Sequence, residues 1–84
     1  MKPIKGNAYA VGTGLYVGEI FVFVDETNDE YNFISIPKNV NRSVPKDKFI
    51  LGIESKILDD VGPLDKKVFA LLEKQFVFNL NLIK

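Results

Sequence analysis

Residues 16–37, YVGEIFVFVDETNDEYNFISIP, hold two runs of β-branched and aromatic residues on either side of a polar tip, and their reading decides the fold. From Val17 to Val24 the side chains suit a pleated surface better than a helix. A period of two puts Gly18, Ile20, Val22 and Val24 on one face and Val17, Glu19, Phe21 and Phe23 on the other. The returning run repeats the division, with Ile34 and Ile36 on one side and Tyr31, Phe33 and Ser35 on the other. Pairing like with like predicts a β-hairpin with an aliphatic face and an aromatic face. Asp25 to Glu30 supply turn chemistry and four negative charges, which predicts a solvated tip.

Working outward, Met1 to Asn7 reads as a frayed lead-in and Ala8 to Val11 as a short first strand, followed by a turn at Gly12, Thr13 and Gly14. Beyond Pro37, Lys38 to Lys48 (KNVNRSVPKDK) reads as a polar loop and is the most basic segment, with Lys38, Arg42, Lys46 and Lys48 against Asp47 alone. Pro45 suits the first turn of a short helix that Phe49 and Ile50 would anchor and Gly52 would end in a left-handed cap. The alternation of Phe49, Leu51 and Ile53 fits a strand as well, so both readings of 45–53 stay open. Ile57 to Val61 reads as a strand with Ile57 and Val61 inward beside exposed Asp59 and Asp60.

Gly62 and Pro63 break that element, and Leu64 to Phe76 follows with a helical period. Leu64, Val68, Phe69, Leu71, Leu72 and Phe76 share one side, and Lys66, Lys67, Glu73 and Lys74 the other. Asp65 complements the positive end of the helix dipole. This amphipathic helix is expected to cover the hairpin face left open, burying the aromatic residues beneath it. From Phe76 to Lys84 the period returns to two, which predicts a last strand carrying Phe78, Leu80 and Leu82.

Composition narrows the function. At 84 residues the chain reads as one small domain, 1–84, whose core must be well packed. Cysteine and histidine are absent, which removes disulfides and thiolate or imidazole metal sites. With 46% hydrophobic residues and seven phenylalanines, packing supplies the stability. Zero formal net charge gives no global pull toward nucleic acid or acidic membranes. MKPIKGNAY lacks an apolar leader segment, and no run approaches the roughly 18 apolar residues of a spanning helix. The expectation is a cytoplasmic protein. Arg42 alone breaks a lysine monopoly among the bases, and Asn, Ile, Phe and Lys are plentiful, which hints at AT-rich coding of the kind found in many phages.

The candidate chemical motifs fail on context. GTGLYVG, Gly12 to Gly18, has the wrong spacing for a phosphate loop, leads into a strand and lacks the Lys-Ser/Thr pair. DETNDE resembles the start of a calcium loop through Asp25, Thr27 and Asp29, but Glu30 stands where the sharp turn needs glycine. Ser35, Ser43 and Ser55 sit in no nucleophile motif, and Asp59 and Asp60 face opposite sides of a strand. No catalytic residue, cofactor or metal is assigned, and the chain is expected not to be an enzyme. Phe21, Phe23, Tyr31 and Phe33 could stack bases, yet Glu19, Asp25, Glu26, Asp29 and Glu30 beside them repel phosphate, so core packing is preferred.

The order of short strand, glycine-rich loop and long bent hairpin, up to about Pro37, resembles the small β-barrels of the Src-homology and KOW type. The stretch from VPKDKF, Val44 to Phe49, through the terminal helix resembles short uncharacterised proteins of tailed phages. The first resemblance implies a small barrel, and together with the residue patterns the expectation is an α+β fold: a small curved antiparallel sheet or partial SH3-like barrel, with one C-terminal amphipathic helix, Leu64 to Phe76, packed on it. The second implies an accessory or host-interaction role without an active site. The preferred function is a non-catalytic protein-interaction module, with no membrane association. It would act through an exposed sheet edge, the basic segment or the last strand. Lys38, Arg42, Lys46, Lys48, Phe78, Leu80 and Leu82 are the candidate partner-binding residues. Two alternatives stand beside it: a single-stranded nucleic-acid binder using 38–48, and a structural subunit that homo-oligomerises through the C-terminal strand.

Overall fold

In the computed structural model, residues 2–36, 38–72 and 74 are described. The chain runs β1 (Asn7–Val11), β2 (Ile20–Glu26), β3 (Glu30–Ile36), β4 (Val40–Pro45), α1 (Lys46–Glu54) and β5 (Leu58–Pro63), and a second helix, α2, follows over 66–72. The five strands form one antiparallel sheet in the order β4-β3-β2-β1-β5, which does not close on itself. The fold is α+β. Among the described residues no helix is long and apolar enough to cross a membrane.

The hairpin has the register its alternation requires, with Val22 opposite Ile34, Phe23 opposite Phe33 and Phe21 opposite Ser35. Its tip is shorter than predicted. Asp25, Glu26 and Glu30 lie in the strands, and the turn is 27–29, closed by the Thr27 N–H on the Glu30 carbonyl at 2.8 Å. A bulge between Phe23 and Asp25 bends β2 while Val24 stays buried on the aliphatic side. At the other end, β2 starts at Ile20 rather than Val17. Residues 12–18 form an exposed loop stitched at its neck, where Val11 N–H meets the Glu19 carbonyl and Gly18 N–H meets the Val11 carbonyl, each at 3.0 Å. Gly18 makes that return at φ +87°, a backbone conformation glycine adopts without steric cost.

Each sheet face has its own helix, and the assignment differs from the sequence reading. Tyr9, Val11, Phe21, Phe23, Tyr31, Phe33 and Leu58 are sealed by Phe49 of α1, whereas Phe69 and Leu72 of α2 pack on Val24 and Ile34 of the aliphatic face. The aromatic face is therefore core, but α1 covers it. The physical reason is connectivity: α1 joins β4 at one edge to β5 at the other, so the chain must cross one face and carries its apolar side there. Phe49 is 1% exposed; its ring meets Tyr9 and Tyr31 edge-on, with centroids at 5.4 and 5.3 Å, and stacks on Phe33 at 5.8 Å. Such pairs contribute about 0.5–1.5 kcal/mol each beyond burial.

The remaining corrections are local. The stretch 45–53 is helical, with Pro45 as N-cap and Asp47 in the first turn. Gly52 lies inside α1 and does not end it; it is buried against Leu58, where a Cβ would sit 3.0 Å from Leu58 Cδ1. The left-handed residue after the helix is Lys56, at φ 62°. Lys38 to Lys48 is not a loop: it contains edge strand β4, polar because only one partner strand flanks it. In β5 the buried residue is Leu58, and Ile57 and Val61 are exposed, so the inward frame is one residue off the predicted one. The lead-in is tied down as well. Pro3 and Gly6 are buried, Gly6 N–H donates to the Phe23 carbonyl at 3.0 Å, and Ile4 N–H donates to the Tyr9 hydroxyl at 3.0 Å. α2 is capped by Asp65, whose Oδ1 accepts from Lys67 N–H at 2.9 Å. The predicted last strand, Phe76 to Lys84, lies outside the described residues.

Candidate partner-binding cleft

Loop 12–18 stands opposite the outer side of α1, and between them lies an open cleft of about 620 Å³. Its floor is the rim of the aromatic core: Val11, Phe21 and Leu58. Leu15 and Tyr16 form one wall, Leu51 and Ile57 another, and β4 from Asn41 to Pro45 a third. The walls are apolar but wet. Leu15 is 87% exposed and Leu51 56%, with Tyr16 and Ile57 also exposed. Covering a side chain of this size is worth about 1.5–3 kcal/mol, a gain that folding leaves uncollected here. The Gly12 N–H on the Ile57 carbonyl, at 2.9 Å, ties the loop to the end of the helical wall.

A buried charge holds the loop wall in place. Glu19 is 5% exposed and accepts hydrogen bonds from the Ser35 hydroxyl, Arg42 Nε at 3.2 Å and Arg42 Nη2 at 3.3 Å, with Lys38 Nζ 3.3 Å away. A carboxylate in such a place needs this much pairing to remain charged. The Ser35 bond foremost, then Arg42 and Lys38, holds its carboxyl at about 2, against burial, which pushes it up. The register opposite Phe33 puts Arg42 on the aromatic side of the sheet, where its guanidinium lies 4.3 Å from the Tyr16 ring centre. Tyr16 in turn leans on Phe21 with centroids at 6.0 Å. Glu19, Arg42 and Tyr16 thus form a prop under the loop.

The four basic candidates do not make one patch. Lys38 and Arg42 are spent on Glu19. Lys46 Nζ lies 2.7 Å from Glu26, which Lys2 also approaches at 3.3 Å. Hydrogen bonds from Lys46 first and Lys2 second lower the Glu26 carboxyl, and the same contact raises the Lys46 ammonium. Lys48 is different: it lines the cleft, and among the described residues no acid pairs with its ammonium. Phe78, Leu80 and Leu82 lie outside the described residues. The sequence reading missed Glu19 as a buried hub, and missed Leu15, Tyr16, Leu51 and Ile57. The signal for the loop wall was present in Leu15, Tyr16 and Val17, three successive apolar residues inside a glycine-bounded turn.

A second depression, of about 680 Å³ beside β1 and β5, is lined by Lys56, Asp59 and Asp60 and none of the exposed apolar side chains. It offers a partner little to bury. Among the described residues no three acids group as a metal site. Thr13, Ser43 and Ser55 are among the residues lining the apolar cleft, the Ser43 hydroxyl donates to Asn32 Oδ1 at 2.9 Å, and the chain has no histidine. What this arrangement can do chemically is bury apolar side chains next to a cation.

No family model, curated protein or solved structure matches the chain.

Proposed function

We propose that this chain is a non-catalytic protein-interaction module that takes a linear segment of its partner into the cleft between loop 12–18, β4 and α1. One observation carries the reading: Leu15, Tyr16, Leu51 and Ile57 converge, exposed, on an open cleft with an apolar floor. Its volume falls within the roughly 300–1,000 Å³ of ordinary binding sites, and clustered exposed apolar side chains mark interaction surfaces. The small-barrel reading is supported by the five antiparallel strands, the loop between β1 and β2, and the helix between β4 and β5. Nucleic-acid binding through 38–48 is the weaker reading, since Lys38, Arg42 and Lys46 already meet Glu19 and Glu26.

The test is selection of phage-displayed random dodecamer peptides on the full chain, alongside a Leu15→Gln, Leu51→Gln double variant. Peptides that bind the wild type and lose the double variant are expected. A selection that yields none, or salt-sensitive binding of single-stranded oligonucleotides alone, would replace this reading.

A further inference from the structure

The cleft also indicates how a peptide would lie in it and which charge that peptide would carry. Successive side chains of a strand point to opposite faces, yet every residue from Asn41 to Pro45 lines the cleft. β4 must therefore present itself edge-on. It is an end strand of the sheet, paired only with β3, and among the described residues no hydrogen bond reaches its outer backbone groups. An open strand edge with unpaired N–H and C=O groups is a template for a further strand. The charge of the walls is one-sided. Among the described residues the only charged ones that line the cleft are Arg42 and Lys48, with no acid beside them, and Glu19 offsets Arg42, which leaves Lys48 as the unpaired cation.

We infer that the occupant is an extended peptide that adds to β4 as a sixth strand, places alternate apolar side chains between Leu15, Tyr16 and Leu51, and sets an aspartate or glutamate against Lys48. The inference rests on the cleft being the partner site. It adds the binding mode and the charge class. A strand lying along Asn41 to Pro45 turns every second side chain toward the side of the sheet that α1 covers, where Phe21 and Leu58 form the floor and Lys48, in the first turn of α1, borders the same row beyond Pro45. A basic peptide would meet only like charge there.

Three displayed peptide pools test it on the full chain, each with degenerate apolar residues at alternate positions and a fixed Glu, Gln or Lys at one end of that same alternate row. The Glu pool should be enriched about threefold to fivefold over the Gln pool, the scale of one exposed ion pair, and the Lys pool should fall below both. Lys48→Glu should reverse that order while leaving the fold unchanged, because Lys48 is exposed and pairs with no acid among the described residues. N-methylation of alternate backbone amides in a selected peptide should weaken binding about tenfold in one register and little in the other, and binding should slow amide exchange along β4. Peptides that need Leu15 and Leu51 but show no Glu preference, or tolerate methylation in both registers, would overturn this inference and leave the proposed function standing. Failure of all three pools together with the random library would overturn both. A synthetic peptide of residues 76–84 that competes as well as the best Glu peptide would make the chain's own C-terminal segment the occupant and would also overturn the inference.

Discussion

Helix α1 touches apolar side chains on two sides, and they have opposite fates. Toward the sheet, Phe49 and Ile53 join Tyr9, Phe33 and Leu58 in a closed core, and Gly52 lets Leu58 come close. Toward the loop, Leu51, with Ile57 beside it, faces Leu15 and Tyr16 across a space that nothing in the described chain fills. The same chemistry is buried in one place and left in water two residues along the helix. Core residues are apolar because the fold needs them buried, whereas folding gives the cleft residues no such reason. That difference puts the core on one side of α1 and leaves, on the other, the surface on which we propose that a partner docks.

The comparison breaks most easily at Phe49. Phe49→Ala would empty the centre of the aromatic cluster, and a loss of about 3–5 kcal/mol is expected, enough to remove most of the stability of a domain this small. Urea unfolding followed by circular dichroism would read this as loss of most of the folded baseline. A midpoint close to wild type would mean that the side of α1 toward the sheet is not the core.

A smaller and pH-dependent effect is expected at Glu19, which belongs to both regions through Ser35 and Arg42. Its carboxyl falls from an ordinary 4.5 to about 2 in the fold. As acid is added, the unfolded chain takes up the proton first, so stability present above about 4.5 is lost progressively toward pH 2. Glu19→Gln should lower the thermal midpoint at neutral pH and flatten that acid slope. Identical slopes in the two proteins would show that the Glu19 hub does not brace the fold.

The hairpin was legible in the sequence because strand alternation is local: Val22 faces Ile34 and Phe23 faces Phe33 as the pattern requires. The strand at β4 was not, since an edge strand with Asn41, Arg42 and Ser43 in it has the composition of a loop. Between 45 and 53 the positions of Phe49 and Ile53 satisfy both periods, and what separates them is tertiary: Phe49 and Ile53 pack on the sheet while Leu51, which the strand reading put on their face, is exposed. The choice of helix for each face depends on strand order, which no single segment encodes. Glu19 was read only as a charge that repels phosphate, because the partners that bury it, Ser35 and Arg42, are 16 and 23 residues away. Half of the cleft was visible as apolar residues in the glycine-bounded turn, and the other half needed α1 to place Leu51 and Ile57 opposite them.

The most direct test of the division between core and cleft is urea unfolding of the Leu15→Gln, Leu51→Gln double variant. Both side chains are exposed, and exposed substitutions shift stability by only about 0.5 kcal/mol, so the midpoint should stay with the wild type while the peptides selected on the cleft no longer bind. A midpoint that falls toward that of Phe49→Ala would make these residues part of the core and contradict the account.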